Sequence, residues 1–516
     1  MLCAFRPHWG AIAVVVGFVL SRVAIAAAGV RFGNGPFYDG YQILDRNALR
    51  DDLVNSIVHL HMQPPLFNLF VGLGLQLPPR WEVPAFHLAY LAMGLGLALG
   101  LYRVLRRLGV TTAIAVVLAL GFVSSPSVFL YEYWSHYDYP VTLLVVLSVL
   151  ALQRYVDQCR ARDAALFFTL VGAVVLTRTL FHFVWLLVCV FALILHRRHA
   201  DWRRVAAAAA VPVIVVLGVH AHRLIVFGTP TSSTTFGMNV ARITVWQLPH
   251  EEREAMVARG ELSKAGLIGP LNPAENYQGL VPERAPTGVP VLDEKFKPPY
   301  EDPPIPRTNF NSLFYADISK LYERDALHVL RVRPGAYLRG VATAFNTFFR
   351  PPSDFFTLAG NRQQVKTLDH LYNVAVFGVV EGGTPSDRFP DGNLHYRENP
   401  GRTAWFAVIA YAAALAGGAV VLWRSIRGGP HRGPPVLVIA FLWSTVAWVT
   451  VVSNFVEVGE NNRFRLYADP LALALLAALV IVVWRARTGE REGARPHLDV
   501  RPTAAPAAIR VPSASR

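Results

Sequence analysis

Three groups of polar residues in this sequence have the side chains that acid–base chemistry and anion binding require. The first lies in the stretch PFYDGYQILDRNALRDDLVNSIVHLHMQPPLF, where Asp39 follows an apolar run and where His61 and Gln63 precede two prolines. A carboxylate held at the membrane surface there could act as a general base that removes the proton of an acceptor hydroxyl. The alternative interpretation of Asp39 is a helix N-cap, because aspartate often caps helices and a helical pattern begins near Tyr41.

The second group lies in the stretch YEYWSHYDYP, where Glu132, His136 and Asp138 stand between two apolar runs. An acidic side chain at the edge of a membrane span costs free energy unless it is paired or faces a polar cavity, which favours a functional role. The alternatives are exposure to water beside an aromatic belt for Glu132 and His136, and helix capping for Asp138. A divalent cation could bind such a set, but the spacing is too loose to predict a metal site.

Arginines dominate the third group. Arg178, in TRTLFH, lies between two apolar runs, and its alternative interpretation is an interfacial arginine that snorkels to water. Six polar residues stand directly before the last apolar run: Glu457, Glu460, Asn461, Asn462, Arg463 and Arg465. Because the guanidinium group binds phosphate as a planar fork, these arginines are candidates for phosphate binding. Arg22, inside the first apolar run, is expected to pair with an external carboxylate or an anionic lipid.

The elements that must position these side chains are membrane helices. Of the 516 residues, 53% are apolar and 16% are charged, whereas soluble domains carry about 25% charged residues. Runs of roughly 17–25 apolar residues match a hydrocarbon core about 30 Å thick. Such runs occur at 9–30, 84–102, 111–130, 139–156, 180–196, 205–227, 403–423, 434–454 and 466–484, and a shorter apolar run occurs at 164–177. The sequence therefore predicts an all-α polytopic membrane protein with about ten transmembrane helices.

The basic residues indicate the orientation of these helices. Arginine clusters follow every second apolar run, so they all lie on one side of the membrane if the runs alternate. By the positive-inside rule that side is the cytoplasm, and the three polar groups then face the extracytoplasmic side. The net charge of +14 is accordingly an orientation signal, and no nucleic-acid partner is expected. Two of the three cysteines fall at predicted cytoplasmic positions and the third falls within a span, so no disulfide framework is expected.

Four regions follow from this layout. Residues 1–227 are predicted to form a transmembrane module whose first external loop, 31–64, is catalytic. Residues 228–402 are rich in Pro and Gly and contain recurring aromatics, which predicts a small extracytoplasmic subdomain. Residues 403–485 supply the last transmembrane helices. Residues 486–516 lack apolar periodicity and are predicted to be a disordered cytoplasmic tail.

The order of the motifs resembles the GT-C superfamily of membrane glycosyltransferases, especially the protein O-mannosyltransferase and lipid A aminoarabinose transferase group. The resemblance covers about residues 9–200, with looser support at 455–485. It begins with Asp39 in the first external loop. Four short motifs follow: Gln63-Pro64-Pro65-Leu66-Phe67, Ser125-Pro126, Asp138-Tyr139-Pro140-Val141, and Arg463-Phe464 before Pro470. The family pattern has a lysine where this chain has Gln63.

The resemblance implies an inverting transfer of a sugar from a polyprenyl-phosphate donor to an extracytoplasmic acceptor, which is a protein, a lipid or a glycan. It makes Asp39 the catalytic base and Asp138 a second acidic residue of the site. The family's lysine helps to hold the donor phosphate. In its absence, the positive charge would come from another side chain: His61, Arg178, Arg463 or Arg465. Some relatives involve a divalent metal ion, which is the one cofactor that the resemblance allows.

A transporter or flippase of lipid-linked saccharides is the competing prediction, because it would also need arginines near a polar cavity. Transport sites usually lie near the bilayer midplane, whereas the acidic residues here lie in loops. A transporter should show a polar path through the bilayer, and a transferase should show one cavity open outward and sideways to lipid. The Ala-, Arg- and Gly-rich composition indicates a bacterium with GC-rich DNA, so the cell inner membrane is the expected location.

Overall fold

The chain is predominantly helical in the residues that the computed structural model describes, namely 9–39, 42–197, 202–228, 232–298, 307–380, 403–428 and 433–488. The described strands are β1 (Phe296–Lys297) and β2 (Arg307–Thr308), which pair antiparallel. Within the described residues, seven helices are long and apolar enough to cross a membrane, or eight if one bent pair is a single span. The protein is therefore an all-α multi-pass membrane protein, and the count of about ten spans stays a prediction.

The first half of the chain forms the larger part of the helix bundle. Its helices are α1 (Trp9–Ala27), α2 (Pro36–Asp39), α3 (Arg46–Asp51), α4 (Leu53–Val58), α5 (Pro65–Gly74), α6 (Pro79–Leu108), α7 (Thr112–Val123), α8 (Pro126–Glu132), α9 (Asp138–Gln158), α10 (Ala161–Val175), α11 (Phe183–Arg197) and α12 (Trp202–Phe227). Helix α9 packs against α6 and α10, and α12 packs against α10 and α11. Helices α1, α6, α9 and α12 are candidate spans, while α10 and α11 have only 15 residues each.

The bent pair consists of α7 and α8, whose axes differ by 61°. The break falls at Ser125 because Pro126 has no N–H for the helical hydrogen bonds and because the residue before a proline favours extended backbone. Ser125 accordingly has φ −68° and ψ 135°. Every residue of α8 is buried, and the helix ends at Glu132 in the interior of the bundle.

The middle of the chain forms a subdomain, defined here as described residues 232–298 and 307–380. Its α-helices are α13 (Phe236–Ile243), α14 (His250–Ala258), α15 (Pro290–Asp293), α16 (Leu313–Val332), α17 (Pro334–Phe348), α18 (Ala359–Gln364) and α19 (Lys366–Ala375). Short 3-10 helices lie at Val245–Gln247, Lys264–Leu267, Ala274–Tyr277, Pro352–Asp354 and Phe356–Leu358. One apolar core contains Leu49 and Phe67 from the first connecting loop and helix α5 together with Met238 and Tyr315 from the subdomain. The first loop is therefore packed into the subdomain.

The last three helices complete the bundle. They are α20 (Trp405–Ile426), α21 (Val436–Val456) and α22 (Asn461–Thr488). Helix α22 is central, because it packs against α6, α9, α17, α20 and α21. The starts of α9 and α22 lie side by side, and a hydrogen bond from Tyr467, in the second turn of α22, to Asp138 joins them. The predicted tail beyond Thr488 lies outside the described residues.

Candidate active site

Asp138, the first residue of α9, is the centre of a buried cluster of hydrogen bonds at one end of the bundle. Its side chain has no exposed surface, and Oδ2 lies 2.7 Å from Nδ1 of His136. The Tyr467 hydroxyl donates a hydrogen bond to Oδ1, and Nε of Arg463 lies 3.6 Å from the same oxygen. The carboxylate therefore joins α9, the link before it and α22.

Arg463 reaches two further groups from the first turn of α22. Its Nη2 lies 2.8 Å from Oε2 of Glu460 and donates a hydrogen bond of 3.2 Å to the Tyr137 hydroxyl. The side chain is 1% exposed, and burial of a guanidinium is costly unless carboxylates accompany it. Glu460 and Asp138 provide that compensation.

Arg465 lies on the other side of α22, because two residues of an α-helix turn a side chain by about 200°. Its Nε lies 3.2 Å from Oδ1 of Asp469, and its Nη1 donates to the Phe348 carbonyl at 3.4 Å. Tyr411 of α20 also donates to Asp469. The structure thus separates the two arginines that the sequence groups together and places Arg465 between α17, α20 and α22.

Arg178, in the link between α10 and α11, approaches the cluster from a third direction. Its guanidinium carbon lies 4.8 Å from the Tyr137 ring centre and 4.9 Å from that of Phe464, and Nη1 donates to the Tyr137 hydroxyl. Trp448 of α21 fixes the link by donating to the Leu180 carbonyl at 2.9 Å. Arg178 is 3% exposed, yet its Nε has no hydrogen-bond partner among the described residues. A buried cation with an unused donor is suited to bind an anion.

A small polar pocket opens beside Arg178, between the helix bundle and the subdomain. Three of the predicted residues line it: Gln63, Arg178 and Glu457. The rest of its wall comes from Gln42, Met62, Thr179, Thr235, Asn239, Leu271 and Phe310. Oε1 of Gln63 has no hydrogen-bond partner in the described part of the chain, so this amide oxygen can accept a hydrogen bond from a ligand.

Glu457 faces the pocket from the turn between α21 and α22. The side chain of Asn461 holds this turn by donating to the carbonyls of Glu457, at 3.0 Å, and Ser453, at 2.8 Å. Oε1 of Glu457 lies 3.6 Å from Nη1 of Arg242, a buried residue of α13. The carboxyl group is therefore fixed between the bundle and the subdomain.

Burial shifts the pKa values of two groups here in opposite directions. Burial, and then the charge of Glu460, raises the pKa of Glu457 above its ordinary value despite three nearby arginines. Burial lowers the pKa of His136 to about 4, although its hydrogen bond to Asp138 acts the other way. At neutral pH His136 is therefore a neutral imidazole. A carboxyl with a raised pKa beside a pocket is a candidate for proton transfer.

The stretch before the two prolines is held by buried contacts. Arg223 of α12 donates to the Gln63 carbonyl, and the His61 N–H donates to the Asn311 side chain at 2.8 Å. Nδ1 of His61 lies 2.6 Å from the Thr234 hydroxyl. Burial, reinforced by the charge of Arg223, lowers the pKa of His61 to about 3. His61 is therefore neutral at neutral pH, and the positive charges near Gln63 are those of Arg223, at its carbonyl, and Arg178, across the pocket.

Asp39 ends α2, and its side chain lies outside the part that the structure describes. Three residues later, Gln42 is buried and its Oε1 accepts a hydrogen bond from the Tyr137 hydroxyl, so the loop that carries Asp39 reaches the cluster. The next described helix begins at Arg46, and its N-cap is Asp45.

Two other predicted residues, Glu132 and Asn462, make contacts that join separate elements of the fold. Glu132 accepts hydrogen bonds from Nε of Arg22 at 2.8 Å, from its Nη2 at 2.6 Å and from the Tyr139 hydroxyl at 2.6 Å. A carboxylate is one of the two partners that the sequence predicts for Arg22. Asn462 donates to the Pro351 carbonyl at 3.2 Å. These contacts join α1 to α8 and the start of α22 to the subdomain.

Sequence reasoning missed several residues of the site: Gln42, Tyr137, Arg242 and Tyr467. Tyr467 follows Arg463 by four residues, so the helical period by itself places both side chains on one face. Tyr137 lies between two predicted residues, His136 and Asp138, but a tyrosine at the end of a span is typical of an aromatic belt and was therefore not singled out. Arg242 had no sequence signal, because its partner Glu457 is distant along the chain.

The described side chains do not fit a metal centre. No group of three or more His, Cys, Asp or Glu among them is placed to hold a metal ion. Asp138 and His136 are adjacent, but Tyr467 and Arg463 occupy the second oxygen of the carboxylate.

No protein-family profile, curated protein or solved structure matches this chain. The chemistry of the site is therefore inferred from the side chains around the pocket. It combines a buried cation with an unused donor, Arg178, with the amide of Gln63 and the carboxyl of Glu457 around one pocket. This arrangement can bind an anionic group at the end of a membrane bundle and exchange a proton there.

Proposed function

We propose that the chain is an integral membrane glycosyltransferase that moves a sugar from a polyprenyl-phosphate donor to an acceptor, with inversion at the anomeric carbon. The observation that carries the proposal is the state of Arg178, which is 3% exposed and whose Nε lacks a partner among the described residues. It stands beside a polar pocket at the end of the bundle. A phosphate whose lipid tail remains in the bilayer can receive charge-assisted hydrogen bonds there.

In this mechanism, the arginines stabilise the negative charge that develops on the leaving phosphate. Arg178 contacts the phosphate, and Oε1 of Gln63 accepts a hydrogen bond from a hydroxyl group of the sugar. Arg463 adds positive charge behind Tyr137 and is oriented by Asp138 and Glu460. Such preorganised electrostatic stabilisation is usually the largest single contribution to catalysis.

Asp39 acts as the base that removes the acceptor's proton. Two observations support this role: the motif order that resembles the GT-C superfamily, and the burial of Gln42 against Tyr137, which brings the same loop to the site. The acceptor oxygen attacks the anomeric carbon from the face opposite the phosphate, and the bond from that carbon to the phosphate oxygen breaks. The acceptor is a protein, a lipid or a cell-envelope glycan.

The proposal includes a position in the bacterial inner membrane with the pocket on the extracytoplasmic side. The seven long helices, the bent pair, α10 and α11 together would make about ten crossings. At the end of the bundle opposite the pocket, Arg107 pairs with Asp157 at 2.7 Å and Arg154 with Asp163 at 3.5 Å. Arginines at that end fit a cytoplasmic location under the positive-inside rule.

A transporter of lipid-linked saccharides is less well supported, because it needs a polar path through the bilayer. The two central helices carry no charged residue between 139 and 153 in α9 or between 470 and 484 in α22. The buried charges near the pocket lie instead in their first turns, at Asp138 and Arg463. Charges at one end suit a reaction at the membrane surface.

Sugar transfer by the purified protein in proteoliposomes tests the proposal directly. A panel of polyprenyl-phosphate sugars is offered to the wild type, to Asp39→Asn and to Asp51→Asn, a control at an exposed carboxylate of the same loop. We expect transfer or slow donor hydrolysis by the wild type and the control. Asp39→Asn should be slower by at least about 100-fold, because it cannot accept the proton.

Two outcomes would contradict this scheme. Passage of intact donor across the bilayer without cleavage would indicate a transporter. Full activity of Asp39→Asn would show that another group is the base.

A further inference from the structure

Four arginines and three carboxylates lie in or directly behind the wall of the pocket. The arginines are Arg178, Arg223, Arg242 and Arg463, and the carboxylates are Asp138, Glu457 and Glu460. Arg463 lies between Asp138 and Glu460, and Arg242 lies beside Glu457. Of these seven groups, Arg178 and Glu457 line the pocket itself.

A donor phosphodiester bound at Arg178 would place its negative charge in the same pocket as the Glu457 carboxyl group. Two negative charges close together in buried surroundings repel each other strongly, so binding at Arg178 favours the protonation of a carboxylate beside it. Glu457 is the carboxylate of the three that lines the pocket. Asp138 and Glu460 lie behind it, against Arg463. Asp39, as the proposed base, would only increase the negative charge.

We infer that Glu457 takes up a proton when a polyprenyl-phosphate ligand binds and gives this proton to the departing phosphate as a general acid. The inference rests on the proposed function and deepens it, since it assigns a second proton-transfer residue to the same site.

The proposed step balances protons and electron pairs. The acceptor hydroxyl gives its proton to the base while its oxygen bonds to the anomeric carbon. The bond from that carbon to the phosphate oxygen breaks, and its electron pair stays on that oxygen. Glu457 then protonates the phosphate, so the polyprenyl phosphate departs as a monoanion and Glu457 remains as a carboxylate. The next donor restores the proton on Glu457.

The charged groups that face Glu457 come from several elements. Arg242 of α13, Arg178 of the α10–α11 link and Arg463 of α22 favour the carboxylate, whereas burial and Glu460 favour the protonated form. The net effect of burial and of these charges already raises the pKa of Glu457, and the negative charge of a phosphate at Arg178 would raise it further.

Proton uptake on binding is measurable without any turnover. The probe is undecaprenyl methyl phosphate, a phosphodiester that lacks the sugar and remains a monoanion between pH 6 and about pH 9 because diester pKa values lie far below neutral. Calorimetric titration of the detergent-solubilised protein in two buffers of different ionisation enthalpy gives the protons taken up for each ligand bound. The same titrations over this pH range give the pH dependence of Kd.

We expect the wild type to take up as much as one proton for each ligand, so that Kd rises by up to about tenfold per pH unit on the alkaline side. Glu457→Gln should bind the probe without proton uptake and with little pH dependence. Glu254→Gln, at an exposed glutamate of α14, should behave as the wild type does.

The outcomes separate this inference from the proposed function. Binding by the wild type without proton uptake, or equal uptake by Glu457→Gln, would overturn the role of Glu457 and leave the transferase intact. No binding of the probe by the wild type would overturn both. If Glu457→Gln does not fold, the proton uptake measured on the wild type still tests the inference.

Discussion

Arg178 is buried, and no carboxylate among the described residues lies at ion-pair distance from it. Aromatic groups instead compensate for the cost of burying its charge. The rings of Tyr137 and Phe464 lie below 5 Å from its guanidinium carbon, and the Tyr137 hydroxyl accepts a hydrogen bond. Cation–π contacts stabilise a desolvated guanidinium by up to about 2 kcal/mol without using its N–H donors. The contacts therefore stabilise the charge and leave Nε for a ligand.

Replacing Arg178 by lysine tests this function at the level of one side chain. Arg178→Lys keeps the charge but loses the planar fork, so the KM for a polyprenyl-phosphate donor should rise at least about tenfold. Steady-state kinetics in proteoliposomes measures the effect. Arg80→Lys, at an exposed arginine of α6, is the matched control, and equal effects in the two variants would refute the phosphate contact.

The buried histidines predict how stability depends on pH. The pKa of His61 is about 3 in the folded protein, below the ordinary value near 6.5, because burial and Arg223 disfavour its protonation. The unfolded chain then binds more protons, so stability is lost as pH falls below about 6.5. The loss from His61 amounts to about 2 kcal/mol at pH 5.

His61→Asn removes the titrating group while its amide can still contact Thr234. The decrease in Tm between pH 7 and pH 5 should therefore be smaller in this variant than in the wild type. Thermal unfolding in detergent at the two pH values measures it. His250→Asn, at an exposed histidine of α14, should retain the full decrease; an unchanged decrease in His61→Asn would show that His61 does not titrate as stated.

At the scale of elements, the contact of α1, α6 and α8 depends on a glycine. A Cβ atom at Gly94 of α6 would lie 2.2 Å from Oε2 of Glu132 and 3.0 Å from the Phe18 ring. Oε2 of Glu132 is also the atom that pairs with Arg22 at 2.6 Å. The buried ion pair therefore requires the absence of a side chain on the facing helix.

Gly94→Ala should disturb the ion pair and lower Tm in detergent by several degrees. Breaking a buried ion pair completely costs about 3–5 kcal/mol, and this value is the upper limit for the destabilisation by Gly94→Ala. Gly218→Ala in α12 is the control, because a Cβ atom there meets nothing within 4 Å and helix propensity favours alanine by about 1 kcal/mol. Equal Tm values for both variants would contradict the contact.

At the scale of the whole molecule, the pocket exists because two distant segments meet. The first connecting loop and helix α5 contribute Leu49 and Phe67 to the same core as Met238 and Tyr315 of the subdomain. The pocket lies where this core meets Arg178 of the α10–α11 link and Glu457 of the turn between α21 and α22. We expect the orientation of this whole assembly to follow the positive-inside rule.

Cysteine labelling in intact cells tests that orientation. In a Cys3→Ser/Cys189→Ser variant, the exposed Cys159 at the end of α9 should react with a membrane-impermeant maleimide only after lysis. With Cys159→Ser and Ala285→Cys added, the exposed new thiol in the subdomain should react in intact cells. The reverse pattern would place the pocket on the cytoplasmic side.

The sequence by itself determined that this is an all-α multi-pass membrane protein, because transfer free energy depends on local composition and run length. It also provided Asp138, Arg178 and Arg463 as candidates, since charged groups beside apolar runs need partners. Run length does not determine the number of crossings, because α10, α11 and the bent pair are short or broken.

Only the tertiary structure decided which candidates lie together. It placed Gln63, Arg178 and Glu457 around one pocket, paired Glu132 with Arg22, and set Arg465 on the opposite face of α22 from Arg463. It also brought Arg242 to Glu457. These contacts depend on the rotation of each helix and on packing between segments far apart in the chain, which hydropathy and motif spacing do not encode.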